Sequence, residues 1–249
     1  MKHRYLIPLV LLYSITSCRY FSGKPDYSHL PADTARYLMW CDALKEDSNQ
    51  APLLFNRAQY VLGKGYYLKA LADANRATIL DSSNAQYFNL VGTICYTLNK
   101  TKFAATAYER SIELDKEYYE SYLKLGELYF YVKEYTSSIR NYNEALRIQP
   151  NCDRCYFFKG LCYREMPRRK DTYLMAKDMF EKAIANNPDY YDAYIQLGEL
   201  HDSANTSLAL AYYDAALRIK PRSTEALYHK AFLFQEMGKN DSAGVIYKT

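Results

Sequence analysis

One set of residue types returns at a regular step along this chain, and that recurrence constrains its fold more than any other feature. Tyr122, Leu125, Gly126, Tyr129, Ser138, Tyr142, Ala145 and Pro150 reappear one unit later as Tyr156, Gly160, Tyr163, Ala176, Phe180, Ala183 and Pro188. Self-similarity of this kind marks a stack of like supersecondary units rather than one closed core. Only 9 Gly and 8 Pro interrupt the 249 residues. That is too few for an all-β or loop-rich chain, so the units are read as helical. The 28 Tyr and 10 Phe supply bulk to fill the space between helices.

These residues resemble the tetratricopeptide repeat, a helix-turn-helix unit of about 34 residues. The resemblance implies an all-α fold, a right-handed superhelix built as an α-solenoid of antiparallel helix pairs. The family frame asks for Gly or Ala at position 8, aromatics at 11 and 24, small residues at 20 and 27, and Pro at 32. In that frame the units run 51–84, 85–118, 119–152, 153–190, 191–223 and 224–249, the last incomplete. The third fits best, and the first carries Ala74 where an aromatic is expected.

The pattern has a steric logic. Small residues at 8, 20 and 27 let the two helices of a hairpin approach closely, and the aromatics fill the gaps. A single hairpin leaves its apolar face wet, so successive units stack. Breakers fall where hairpins turn: Gly65, Asn99, Asn205 and Gly238. Upstream, 32–50 reads as a capping helix or half repeat, with Trp40 and Ala43 at the places of positions 24 and 27. Downstream, Ala243, Val245, Ile246 and Tyr247 keep the second helix of unit six apolar up to Thr249. That end suggests a truncated chain or a partner over the last hairpin.

The N-terminus carries a different signal. Lys2, His3 and Arg4 form a basic segment, and Tyr5 to Tyr13 an apolar run too short to cross a membrane comfortably. Ser14-Ile15-Thr16-Ser17-Cys18 resembles the lipobox of bacterial lipoproteins. By that resemblance 1–17 is a signal peptide, Cys18 the lipidated new N-terminus, and 18–31 a tether. Several acyl chains anchor far more firmly than one. Arg19 stands where inner-membrane retention uses Asp, which favours the outer membrane of a cell envelope. The alternative is an ordinary secretory signal or uncleaved anchor with Cys18 incidental.

Charge argues against nucleic acid. The net charge is +4, and without Lys2 and Arg4 there remain 30 basic against 28 acidic residues, or +2. The one dense basic run, Arg164 to Lys170, also holds Glu165, Met166 and Pro167 and reads as a solvated loop.

In the tetratricopeptide family the concave groove is lined by first-helix positions 2, 5, 9 and 12. Carried over residue by residue, these give Phe55, Gln59 and Leu62, then Asn89, Thr93 and Tyr96. Glu120, Leu123, Glu127 and Phe130 follow, then Arg154, Phe157, Leu161 and Arg164. Asp192, Ile195, Glu199 and Asp202 come next, and Glu225, Tyr228, Phe232 and Gln235 end the line. An aromatic and aliphatic groove with alternating charges suits a peptide or protein segment better than a small polar substrate. The competing reading is that these aromatics only thicken the hairpin packing. The family's carboxylate clamp is absent: its places hold Phe55, Gln59, Leu90, Glu120 and Lys124, and Glu120 would repel a carboxylate.

Two constellations remain. Cys152-Asp153-Arg154-Cys155 has redox or metal spacing, yet it lacks both a βαβ context and a second cysteine pair for tetrahedral zinc. Buried structural thiols are the favoured reading of Cys155 and Cys162, with a Cys152 to Cys155 disulfide as the alternative. His29, His201 and His229 are scattered, and His201 falls at the aromatic position 11 as a packed residue. With no clustered acid, base or metal set, and no cofactor expected, the chain reads as non-catalytic. The expectation is a protein-binding scaffold of the bacterial cell envelope, lipid-anchored. A periplasmic or surface binder of glycan or cell-wall material is the alternative.

Overall fold

The computed structural model describes residues 26–167, 169–201 and 206–246. The signal segment 1–17, Cys18 and the tether as far as residue 25 lie outside the described residues, as do Asp202, Asn205 and Tyr247. Thirteen helices are described. They are α1 (Ala32–Glu46), α2 (Ala51–Gly63), α3 (Tyr67–Leu80), α4 (Ala85–Thr97), α5 (Thr101–Leu114), α6 (Tyr119–Tyr131) and α7 (Tyr135–Ile148). There follow α8 (Asp153–Glu165), α9 (Lys170–Asn186), α10 (Tyr191–His201), α11 (Thr206–Ile219), α12 (Thr224–Glu236) and α13 (Asn240–Ile246). From α2 onward they pack as consecutive antiparallel pairs, each pair against the next, with α1 laid chiefly on α2. The first helices also touch their successors, α2 on α4, α4 on α6 and α6 on α8, so they form the inner wall and the second helices the outer one.

Helix boundaries follow from local chemistry. Asn84, Cys152 and Ser223 each accept a hydrogen bond from a backbone N–H of the helix they open, satisfying an otherwise unpaired donor. Between units, Asp47, Asp81, Asp115 and Asn187 accept from the backbone N–H two residues on, turning the chain at the end of each preceding second helix. Inside a unit the first helix ends on a left-handed residue: Gly65, Asn99 or Gly238. In each case the next N–H bonds back five residues, as in Lys100 N to Cys95 O at 2.8 Å. The third unit uses Lys133, with φ 63°, at the same place. A lysine there stores strain of about 1 kcal/mol that glycine would not. Unit four departs from this design. Met166 and Pro167 close α8 in extended backbone, and α9 runs for 17 residues.

Packing inside the hairpins shows why position 8 is small. A Cβ on Gly92, Gly126, Gly160 or Gly198 would lie 2.4 to 2.6 Å from the ring of Tyr108, Tyr142, Phe180 or Tyr213. These rings are fully or almost fully buried, so they have nowhere to go. Unit one exchanges both partners: Ala58 replaces the glycine, and Ala74 replaces the ring in the same buried cluster. With no ring opposite, the Ala58 methyl meets no clash at this position. That unit has a second oddity. Arg57 and Asp73 form a two-pronged ion pair, both contacts at 2.7 Å, between α2 and α3 in a nearly buried setting.

Candidate functional site

The residues that the family frame assigns to the groove divide into three groups. The first group is buried. Leu123, Phe157 and Ile195, all at position 5, are only 5%, 8% and 1% exposed and cannot contact a ligand. Each packs forward onto the following unit: Leu123 with Cys152 and Cys155, Phe157 with Ala193 and Leu197, Ile195 with Ala226 and Leu233. Phe157 also meets the rings of Phe180 and Tyr190. Contrary to the expectation from the family frame, these three side chains do not face the groove. The rotation between neighbouring units turns position 5 into their shared core. Phe55 behaves similarly in part, with its ring 5.0 Å from Tyr87 of the next unit.

The second group is polar and already partnered. Asn89 donates to Ser121 Oγ at 2.9 Å, and Ser121 in turn pairs with Ser111, a buried hydroxyl bonded to the Ala85 carbonyl. Glu127 holds Lys124 at 3.0 Å and also pairs with Arg154 of the next unit. Arg164 bonds Glu165 at 2.9 Å and Glu199 of the next unit at 3.1 Å, and it contacts Gln196. Glu199 lies 3.6 Å from His229 of the unit beyond. The alternating charges read from sequence as ligand complementarity therefore link one unit to the next. Glu120 is half-buried and Gln59 exposed.

The third group is aromatic and open. Tyr96, Phe130, Tyr131, Tyr135 and Phe158, with Glu127, Lys133 and Glu165, line a cleft of about 390 Å³ across units two to four. Tyr96 meets Tyr131 edge-on at 5.9 Å, and Phe130 meets Tyr135 and Phe158 at 5.9 and 6.1 Å. Burial, then Glu127 and Tyr131, raises the Tyr96 hydroxyl's pKa, and burial followed by Glu165 does the same at Tyr135. Both remain neutral hydrogen-bonding groups near pH 7. Tyr228 stands exposed farther along, with its ring edge against His229. Tyr131 lies one residue beyond the family's groove positions, so the carried-over frame passed it by. Its neighbour Phe130 was the available clue.

Cys152 and Cys155 are joined by a disulfide with 5.2 Å between Cα atoms, spanning the N-terminal turn of α8. Cys155 is therefore not the free buried thiol favoured from sequence, and the bridge to Cys152 given as the alternative is the one formed. Their fit follows from Cys152 standing at the helix N-cap and Cys155 three residues on, on the same side of the first turn. Cys162 is a free, fully buried thiol that donates to Ser138 at 3.2 Å, and burial pushes its pKa up to about 11. A thiol protonated at neutral pH is a poor nucleophile. His201 is buried with its ring stacked on Tyr212, and burial lowers its pKa. It is packed as a core aromatic, with Nδ1 3.3 Å from the Tyr173 hydroxyl. Among the described residues no group of three or more His, Cys, Asp or Glu is placed to hold a metal, and no helix is long and apolar enough to cross a membrane.

Comparison with known proteins agrees with this geometry. Residues 119–152 match a tetratricopeptide repeat model, and residues 173–224 match a second one. Among curated proteins the chain is similar to DnaJ homolog subfamily C member 7 of Mus musculus, 22% identical over 218 residues. The match covers 83% of this chain but spans only 42% of that relative's length. Among solved structures, PilF of Pseudomonas aeruginosa superposes with a TM-score of 0.71 at 18% identity, covering 79% of this chain and 88% of that one. MamA gives 0.56 at 24%, covering 63% and 89%. YrrB, described as a tetratricopeptide protein with an unusual peptide-binding site, gives 0.58 at 22%, covering 77% and 97%. At these identities the likeness establishes the fold, a tetratricopeptide α-solenoid.

Proposed function

We propose that this chain is a non-catalytic scaffold that holds an extended peptide or protein segment in its concave groove, anchored at the cleft between Tyr96 and Tyr131. One observation carries the reading. Where Glu127, Arg154 and Arg164 are already paired, the aromatic side chains around Phe130 still face an open cleft. Large, rigid aromatic surface beside a polar rim is the usual composition of an interaction hot spot. YrrB, a structural neighbour with a peptide-binding site, supports the same use of the fold.

Panning a random peptide library of about twelve residues on the purified chain tests this. Apolar or aromatic sequences should be enriched, and Tyr96→Ala with Tyr131→Ala should weaken their binding at least tenfold, since each anchor contributes about 1 kcal/mol or more. No enrichment, or enrichment indifferent to both substitutions, would sink the proposal. Selective retention of glycan fragments instead would favour the glycan or cell-wall reading.

For the setting, we propose an envelope protein tethered to a membrane, the outer membrane favoured, through lipid on Cys18. The lipobox-like run before Cys18 supports it. Cys18→Ser should then move the protein from the membrane fraction to the soluble one, and unchanged partition would contradict the anchor.

A further inference from the structure

A second cleft lies away from the groove, between α1 and the end of the first hairpin. Its volume is about 460 Å³, within the range of small-ligand sites. Tyr37, Leu38, Tyr60 and Tyr66 provide its walls, with Lys64 and Lys69 beside them, and no acidic residue contributes. Tyr37 and Tyr60 stack with centroids 5.0 Å apart, and Trp40 meets Tyr60 edge-on at 6.4 Å. Lys69 Nζ donates to the Tyr37 hydroxyl at 2.6 Å, and Lys64 Nζ sits 5.4 Å from the Tyr60 ring centre.

What marks this place is that two lysines share the rim of one aromatic cleft. Lys64 and Lys69 have no carboxylate partner among the described residues; their contacts are a phenol and ring faces. Two ammonium groups at the rim of an aromatic cleft, without a counter-ion, are complementary to an anion carried on an apolar body. We propose that this cleft binds a small organic carboxylate, its charge between Lys64 and Lys69 and its flat or apolar body against Tyr37 and Tyr60. Neither the groove nor its proposed peptide takes part.

The single tryptophan of the chain reports on the site, because Trp40 touches its aromatic wall. Titration with 3-phenylpropionate should change Trp40 emission saturably, with a Kd in the millimolar range or tighter for a fragment of this size. The neutral 3-phenylpropanamide and the bodiless acetate should each bind at least tenfold more weakly. Lys64→Gln, which leaves the Lys69 to Tyr37 bond in place, should weaken phenylpropionate about tenfold, the usual worth of one charge-assisted contact. Its thermal midpoint should stay at the wild-type value, which separates lost binding from lost folding. Equal binding of the amide would show that the charge is not read, and equal binding of acetate that the body is not read. Either result, or the absence of saturation, overturns the proposal.

Discussion

Gly126→Ala should lower the free energy of unfolding by about 2 kcal/mol in urea titration, although alanine is the better helix former by about 1 kcal/mol. The added Cβ would stand 2.6 Å from Cε1 and 2.9 Å from Cδ1 of Tyr142, a ring with no exposed surface. Neither the ring nor the helix has free volume into which to move, so the hairpin must open. The sign should reverse once the ring is removed. In a Tyr142→Ala background, itself costly by about 3 to 5 kcal/mol, Gly126→Ala should be neutral or mildly stabilising. Unit one already carries that solution, with Ala58 and Ala74 in one buried cluster. Equal losses in both backgrounds would mean that the close approach of ring and helix is not what demands glycine.

Asp73→Ala is the second large effect, a loss of about 3 kcal/mol. It strands the Arg57 guanidinium, which is held by Asp73 at 2.7 Å through both Nε and Nη2 and is largely shielded from water. Asp73 raises the pKa of Arg57 further, so arginine cannot escape by losing its proton. Arg57→Met combined with Asp73→Ala should recover most of the loss, because removing both charges leaves neither stranded. If the double variant is as unstable as the single one, volume rather than charge holds this contact.

Much of the fold was legible because the repeat is enforced by sterics. Glycine at position 8 and an aromatic at 24 are two halves of one contact, so both survive in the sequence wherever the contact does. The first helices begin at Ala51, Ala85, Tyr119, Asp153, Tyr191 and Thr224, where the repeat frame opens its units. The site was less legible. Whether position 5 faces ligand or core depends on how far each unit is rotated onto the next, a tertiary quantity that spacing does not encode. Leu123, Phe157 and Ile195 were misassigned for that reason. The charges misled similarly: Glu127, Arg154, Arg164 and Glu199 alternate along the chain because they pair across units. Lys133 could have been found by lining it up with Gly65, Asn99 and Gly238. Arg57 and Asp73 gave a fainter hint, as opposite charges at two places where the hairpin is otherwise apolar.

The central claim, that the inner wall is the holding surface, is tested most directly by site-specific photo-cross-linking to a peptide recovered by panning. The photoreactive residue p-benzoylphenylalanine would be placed at Tyr131 in the groove cleft and, separately, at Ile79, a highly exposed position on the outer wall. The peptide should cross-link from position 131 and not from 79. Capture from 79 alone, or equally from both, would contradict a groove-bound ligand.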